Sequence, residues 1–160
     1  MRTVEMAIYQ YSELDDSAKL RAKEWYCEGL EYYWWSDALK SVNGFCDLFG
    51  VTVRDYSIGA FSYSWIETNA SNEHFRGWDK AKINALRGKN ISGYYLDEVL
   101  TDALIEMYAL NADAKASFNY AIDKAVKSIR DDWEYQYSDE AVSEMMEANQ
   151  YEFDEHGNRF

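Results

Sequence analysis

The run Phe61-Ser62-Tyr63-Ser64-Trp65 alternates apolar and polar side chains strictly. A helix would scatter such a pattern around its axis, whereas a strand turns it to two opposite faces. It therefore introduces sheet into a chain whose other apolar residues recur mostly at helical spacing. The reading that follows is two strands, 51–58 and 60–66, turning near Gly59 as an antiparallel hairpin. Residues 3–9 alternate as well, with Val4, Met6 and Ile8 on one side, which marks a half-buried N-terminal strand. A shorter alternation at 151–153 precedes His156-Gly157-Asn158, a turn sequence, and is a candidate C-terminal strand.

Helical spacing accounts for the rest. Asp15-Asp16 offers an N-cap and a favourable charge for the macrodipole, and Ala18, Ala22, Trp25 and Tyr26 follow, predicting a helix over 16–28. Trp35, Leu39, Val42, Cys46 and Phe49 form one stripe from about Tyr33 to Gly50, a natural stop. Residues 67–77 are polar and read as loop, and 78–86 as a short helix. Val99, Leu100, Ala103, Leu104, Met107 and Tyr108 predict a helix within 94–110. Phe118, Ile122, Ala125, Ile129 and Trp133 predict another across 113–137, and Ser138 caps a last one at 139–148. The expected fold class is α+β: a small, mostly antiparallel sheet of N-terminal strand, central hairpin and C-terminal strand, packed with about five helices. With no proline in the chain, Gly, Asn, Asp and Ser must shape the loops.

A chain of 160 residues, 48% hydrophobic and 17% aromatic, fits a single compact domain over 1–160. Its formal charge of −13 opposes direct binding to nucleic acid or to an anionic membrane, so an electrostatically chosen partner should be basic. No apolar run reaches the roughly 18 residues of a membrane span, and residues 1–10 do not resemble a signal peptide. The expected location is the cytoplasm. Cys27 and Cys46 lack metal or redox spacing and read as reduced packing residues.

The acidity is uneven. Residues 131–160 hold ten carboxylates against Arg159 alone. The same stretch carries Trp133, Tyr135, Tyr137, Met145, Met146, Tyr151 and Phe153, so it reads as folded negative surface rather than a disordered tail. Glu140, Glu144 and Glu147 fall at i, i+4 and i+7 on one helical face, where neighbours stand about 5–6 Å apart. Such a face can present carboxylates to a basic channel as stand-ins for phosphates; the alternative is a solvated face that keeps the protein soluble. The candidate partner-binding residues are Asp131, Asp132, Glu134, Asp139, Glu140, Glu144 and Glu147. Four consecutive aromatics, Tyr32 to Trp35, cannot all face inward from one helix, which adds Tyr33 and Trp34. Arg76, Lys80, Lys82, Arg87 and Lys89 against Asp79 give +4 over 76–89, a patch for phosphate, for an acidic protein, or simply for solvent.

Catalysis finds little support. His74 and His156 are far apart, and HExxH, CxxC, G-x-S-x-G, the P-loop and GxGxxG are all missing. The expectation is a non-catalytic protein with no catalytic residues, no metal ligands and no cofactor.

The segments ELDDSAKLRAKEWY at 13–26, YYWWSDAL at 32–39 and SDEAVSEMMEANQYEFDEHGNRF at 138–160 resemble a family of small phage- and prophage-encoded proteins often labelled "antitoxin of toxin–antitoxin stability system". The resemblance covers both ends and part of the middle, while the central aromatic strand departs from that family's glycine-rich segment. It carries over no catalytic residue. It implies a phage or mobile-element origin, a setting in which small acidic proteins inhibit host defence nucleases, CRISPR effectors and restriction enzymes among them. The leading expectation is an inhibitor that engages a basic nucleic-acid-binding surface of a host complex by charge mimicry, in the host cytoplasm. The alternative is an antitoxin-like protein that neutralises a toxin by direct binding. A homodimeric accessory protein is a third class, and a hydrolase would need a concave site with a perturbed carboxylate.

Overall fold

Asp15 leaves an extended stretch, and its carboxylate accepts the Ala18 N–H at 2.8 Å, starting helix α1 (Asp16–Glu28) where the acidic pair marks it. The same device recurs along the chain. Asp79 accepts from Lys82 N–H at the head of α3 (Lys80–Asn84), and Asp113 from Ala116 N–H at the head of α5 (Ala114–Tyr135). Ser138 accepts from Ala141 N–H at the head of α6 (Asp139–Ala148). With α2 (Trp35–Asp47) and α4 (Leu96–Ala109), this gives six helices. Two two-stranded antiparallel sheets complete an α+β fold: β1 (Tyr9–Gln10) with β4 (Glu152–Phe153), and β2 (Val53–Ser57) with β3 (Trp65–Thr68). Short 3-10 turns at Tyr11–Glu13 and Asn72–Phe75 had no periodic signature.

The computed structural model describes residues 1–160. Where the sequence suggests one compact domain, the packing falls into two units: Met1–Tyr32 with Glu134–Phe160, and Tyr33–Trp133. In the first, Tyr11, Leu14, Ala18, Ala22, Val142, Met146 and Phe153 form a buried cluster, so α1 and α6 share one apolar seam closed by β4. In the second, Phe45 stacks on Phe118 at 5.3 Å, and Phe49 and Phe75 pack against the same ring. Gly44 on α2 lets the Ile91 side chain pack against the helix, since a Cβ there would meet the Ile91 Cγ2 methyl and push it aside.

The expected sheet needs correction in three places. It is two separate sheets. Residues 3–8 find no partner: β4 is two residues long and turns away after Phe153, so Val4, Met6 and Ile8 stay exposed instead of half-buried. The hairpin does not turn at Gly59. Ser57 pairs with Trp65 across a seven-residue connection, 58–64. Serine chemistry outcompetes alternation there: the Ser62 and Ser64 hydroxyls reach the Gly59 carbonyl at 3.1 and 3.3 Å, and Phe61 adopts φ +57°. Only Trp65 of the alternating run joins the strand.

Both cysteines are free, and Cys46 is buried. Burial, and then the neighbouring Asp47, push its thiol up to about 12. At pH 8 roughly one in ten thousand such thiols is ionised, so a thiol reagent should label native protein at Cys27 and spare Cys46 until unfolding. Mass mapping of the labelled chain checks this; prompt labelling of both would show that α2 opens readily.

Candidate functional site

The −13 charge is concentrated. Met1–Tyr32 with Glu134–Phe160 carries 15 acidic against 5 basic side chains, a net −10, and leaves 14 against 11 in Tyr33–Trp133. Thirteen of those 15 carboxylates are exposed; Glu134 and Asp154 are half-buried. The amphipathic split of α6 accounts for three of them: Ala141, Val142 and Met146 enter the apolar seam, which turns Glu140, Glu144 and Glu147 outward, while Asp139 is exposed at the head of the helix.

A groove of about 570 Å³ runs between α1 and α6 in this unit, with Tyr11 and Leu20 as its apolar part and Asp16, Asp139, Glu140 and Glu147 along it. It is not purely acidic. Lys19 and Lys23 line it too, and Lys23 Nζ sits 2.5 Å from Asp139 Oδ1. Hydrogen bonding to Asp139 raises the Lys23 ammonium above its ordinary value. Burial, and then Asp139, push the Tyr11 phenol up. At the end of α5, burial followed by Glu140 and Glu144 pushes Tyr135 up as well. Lys19 and Lys23 were not singled out from the sequence, although their i, i+4 spacing beside Asp16 places all three on one face of α1.

Glu140, Glu144 and Glu147 thus share an exposed face of α6, with Asp139 at its head tied to Lys23. Glu134 lies in the same unit, half-buried near the end of α5. Asp131 and Asp132 belong to the other unit. Asp131 is exposed and ion-paired with Lys127 one helical turn earlier, and Asp132 is half-buried. Of the aromatic run, Tyr32 is buried and Trp35 packs against Tyr56 at 4.9 Å, whereas Tyr33 is 75% and Trp34 44% exposed.

The basic segment 76–89 is partly neutralised within the chain. Arg76 binds Glu73 at 2.8 Å, and Lys82 lies 6.0 Å over the Trp78 ring, while Lys80, Arg87 and Lys89 face solvent. His74 has a structural role: its Nδ1 accepts the Ser71 N–H at 3.0 Å. His156 is exposed, 3.6 Å from Glu155. No three His, Cys, Asp or Glu side chains are grouped to hold a metal ion, and no helix is long and apolar enough to cross a membrane. No protein-family model, curated protein or solved structure matches the chain.

Proposed function

We propose that this chain is a non-catalytic, phage-encoded inhibitor that binds the basic nucleic-acid-binding surface of a host defence complex, of CRISPR or restriction type, in the host cytoplasm. One observation carries the reading: a net −10 held by the 59 residues of a single unit, with the carboxylates of α6 turned outward by the burial of Ala141, Val142 and Met146. Carboxylates anchored on a folded helix keep their backbone spacing when a basic channel approaches, so no segment has to fold in order to compete with phosphate. Glu140, Glu144 and Glu147 supply the mimicry, and Asp139 is shared with Lys23.

The test is the triple variant Glu140→Lys, Glu144→Lys, Glu147→Lys, which takes the unit from −10 to −4 while touching only exposed side chains. Capture from host lysate with the parent protein should recover a nucleic-acid-handling complex at low salt, lose it at high salt and be competed by DNA or RNA. The triple variant should bind that complex on the order of 100-fold more weakly. A folded triple variant that inhibits like the parent would sink the mimicry.

The exposure of Tyr33 and Trp34 favours a second reading, an antitoxin-like neutraliser that masks a toxin through this aromatic pair. That interface should resist salt and ignore the triple reversal, and Tyr33→Ala with Trp34→Ala should abolish it.

A further inference from the structure

Tyr11 is only 7% exposed, its ring packed edge-on against Phe153 in the seam between α1 and α6. Its hydroxyl makes no hydrogen bond within the chain. A buried phenol ordinarily finds a partner for its O–H. This one is not sealed inside either, because Tyr11 lines the groove of about 570 Å³ and its oxygen keeps contact with that space. Burial raises the phenol pKa, so at neutral pH the group is an uncharged hydroxyl whose lone pairs are free to accept.

The groove has unused charge as well. Asp139 is held by Lys23, but Asp16, Glu140 and Glu147 form no ion pair, and Lys19, which lines the same groove, pairs with none of them. The lining therefore keeps four carboxylates against two ammonium groups, a net −2. Leu20, 59% exposed, adds an apolar wall. A metal ion does not suit the site, since no three of its carboxylates are grouped to hold one. An organic cation on an apolar stem suits all three features, the free acids, the wall and the idle hydroxyl.

We propose that the groove between α1 and α6 seats one arginine side chain of a protein partner, its stem against Leu20 and the Tyr11 ring and its guanidinium donating to the Tyr11 oxygen and a free carboxylate. The proposal deepens the reading of this unit as the binder of a basic surface, and its partner rests on that reading. Arginine is favoured over lysine because its planar head carries a fixed fork of donors, lies along aromatic rings and gives up water more readily than an ammonium. Its methylene stem covers apolar surface while the head stays with the acids.

Methyl and aromatic NMR of the full chain, titrated with N-acetyl-arginine methylamide at about 0.15 M salt, tests the groove by itself. The expected result is saturable shifts of the Leu20 methyls and the Tyr11 ring, with a Kd on the order of 1 mM. The lysine analogue should bind about fivefold more weakly, and the citrulline analogue, which keeps the shape without the charge, should not bind. Tyr11→Phe removes only the idle hydroxyl, so it should leave the melting temperature unchanged and weaken arginine about threefold. Leu20→Lys, at an exposed position, should abolish binding. Glu140→Gln and Glu147→Gln, two turns or roughly 10 Å apart, should differ in effect, because one guanidinium cannot span both. Equal affinity for the lysine and arginine analogues, shifts spread over the whole acidic surface, or indifference to Tyr11→Phe would each overturn the proposal. Capture from host lysate separates it from the reading it deepens. A Leu20→Lys chain that captures the complex as the parent does removes the groove from the interface and leaves charge mimicry standing. Arginine binding that obeys these variants, in a chain that captures no nucleic-acid-handling complex, keeps the arginine seat and overturns the mimicry.

Discussion

Replacing Asp97 by Ala should destabilise Tyr33–Trp133 by about 3 kcal/mol, because several hydrogen bonds to one charged group disappear together. The carboxylate is buried on α4 and accepts from the backbone N–H of Ile91, Ser92 and Gly93 at 2.9, 2.7 and 2.9 Å. The Ser92 hydroxyl donates to its other oxygen at 2.7 Å. Since the Ser92 hydrogen points to Asp97, the buried Ser41 hydroxyl on α2, 2.6 Å away, must be the donor to Ser92. One carboxylate thereby fixes loop 91–93 and satisfies a polar group inside the contact between α2 and α4. Burial alone would raise the Asp97 pKa, but the bonds from Ser92, Gly93 and Ile91 outweigh it and hold the group below its ordinary range.

Because the folded pKa is depressed, the stabilisation is fully present above the unfolded carboxylate value, about 3.9, and is lost as pH falls through the lower folded value. Asp97→Asn keeps the shape but aims an amide NH2 at donors, and should cost about 2 kcal/mol while flattening the stability profile below pH ~4. Urea titrations of the parent and both variants at neutral and acidic pH read this directly. Equal stability of Asp97→Ala and the parent at pH 7 would show that water replaces the carboxylate.

Helices are legible where capping and periodicity agree: Asp15 and Ser138, with the stripes that follow them, mark the helices at about 16–28 and at 139–148, whereas α2 and α4 have no side-chain cap and rest on periodicity alone. The strands are not legible in that way, since alternation records only that a segment could lie on a sheet and says nothing of whether an edge is there to receive it. Residues 3–8 have the pattern and no intrachain partner, and Phe61 to Ser64 yielded to hydroxyl bonds onto the Gly59 carbonyl. For the site, the outward acids of α6 followed from its own sequence. The lysines of the groove did not, because Lys23 meets Asp139 across 116 residues of chain.

Gly157→Ala should be the most damaging single change in the other unit, at about 3–5 kcal/mol, since two penalties coincide. Gly157 is buried with φ +81°, and a Cβ there would run into the carbonyl of Ala18, backbone that cannot swing aside. The turn it allows is held by Asp154, whose carboxylate accepts from His156 N–H, Asn158 N–H and the Asn158 amide at 2.9, 2.9 and 2.8 Å. That turn returns the chain so that Arg159 bridges to Phe153 and its guanidinium lies 4.7 Å over Tyr151. Gly50→Ala is the control. Its φ is +67° with nothing within 4 Å of the new Cβ, so it should cost only about 1 kcal/mol of backbone strain. A 59-residue unit has roughly 3–9 kcal/mol in hand, so Gly157→Ala should leave α1 and α6 largely unpacked at 37 °C. Circular dichroism melts of both variants test the difference, and similar costs would show that φ rather than the Ala18 contact dominates. The same variant bears on the proposed inhibition. It should lose the target with every carboxylate still present, whereas the triple lysine variant should lose it with the fold intact, and both results together would require a negative face held in place by packing.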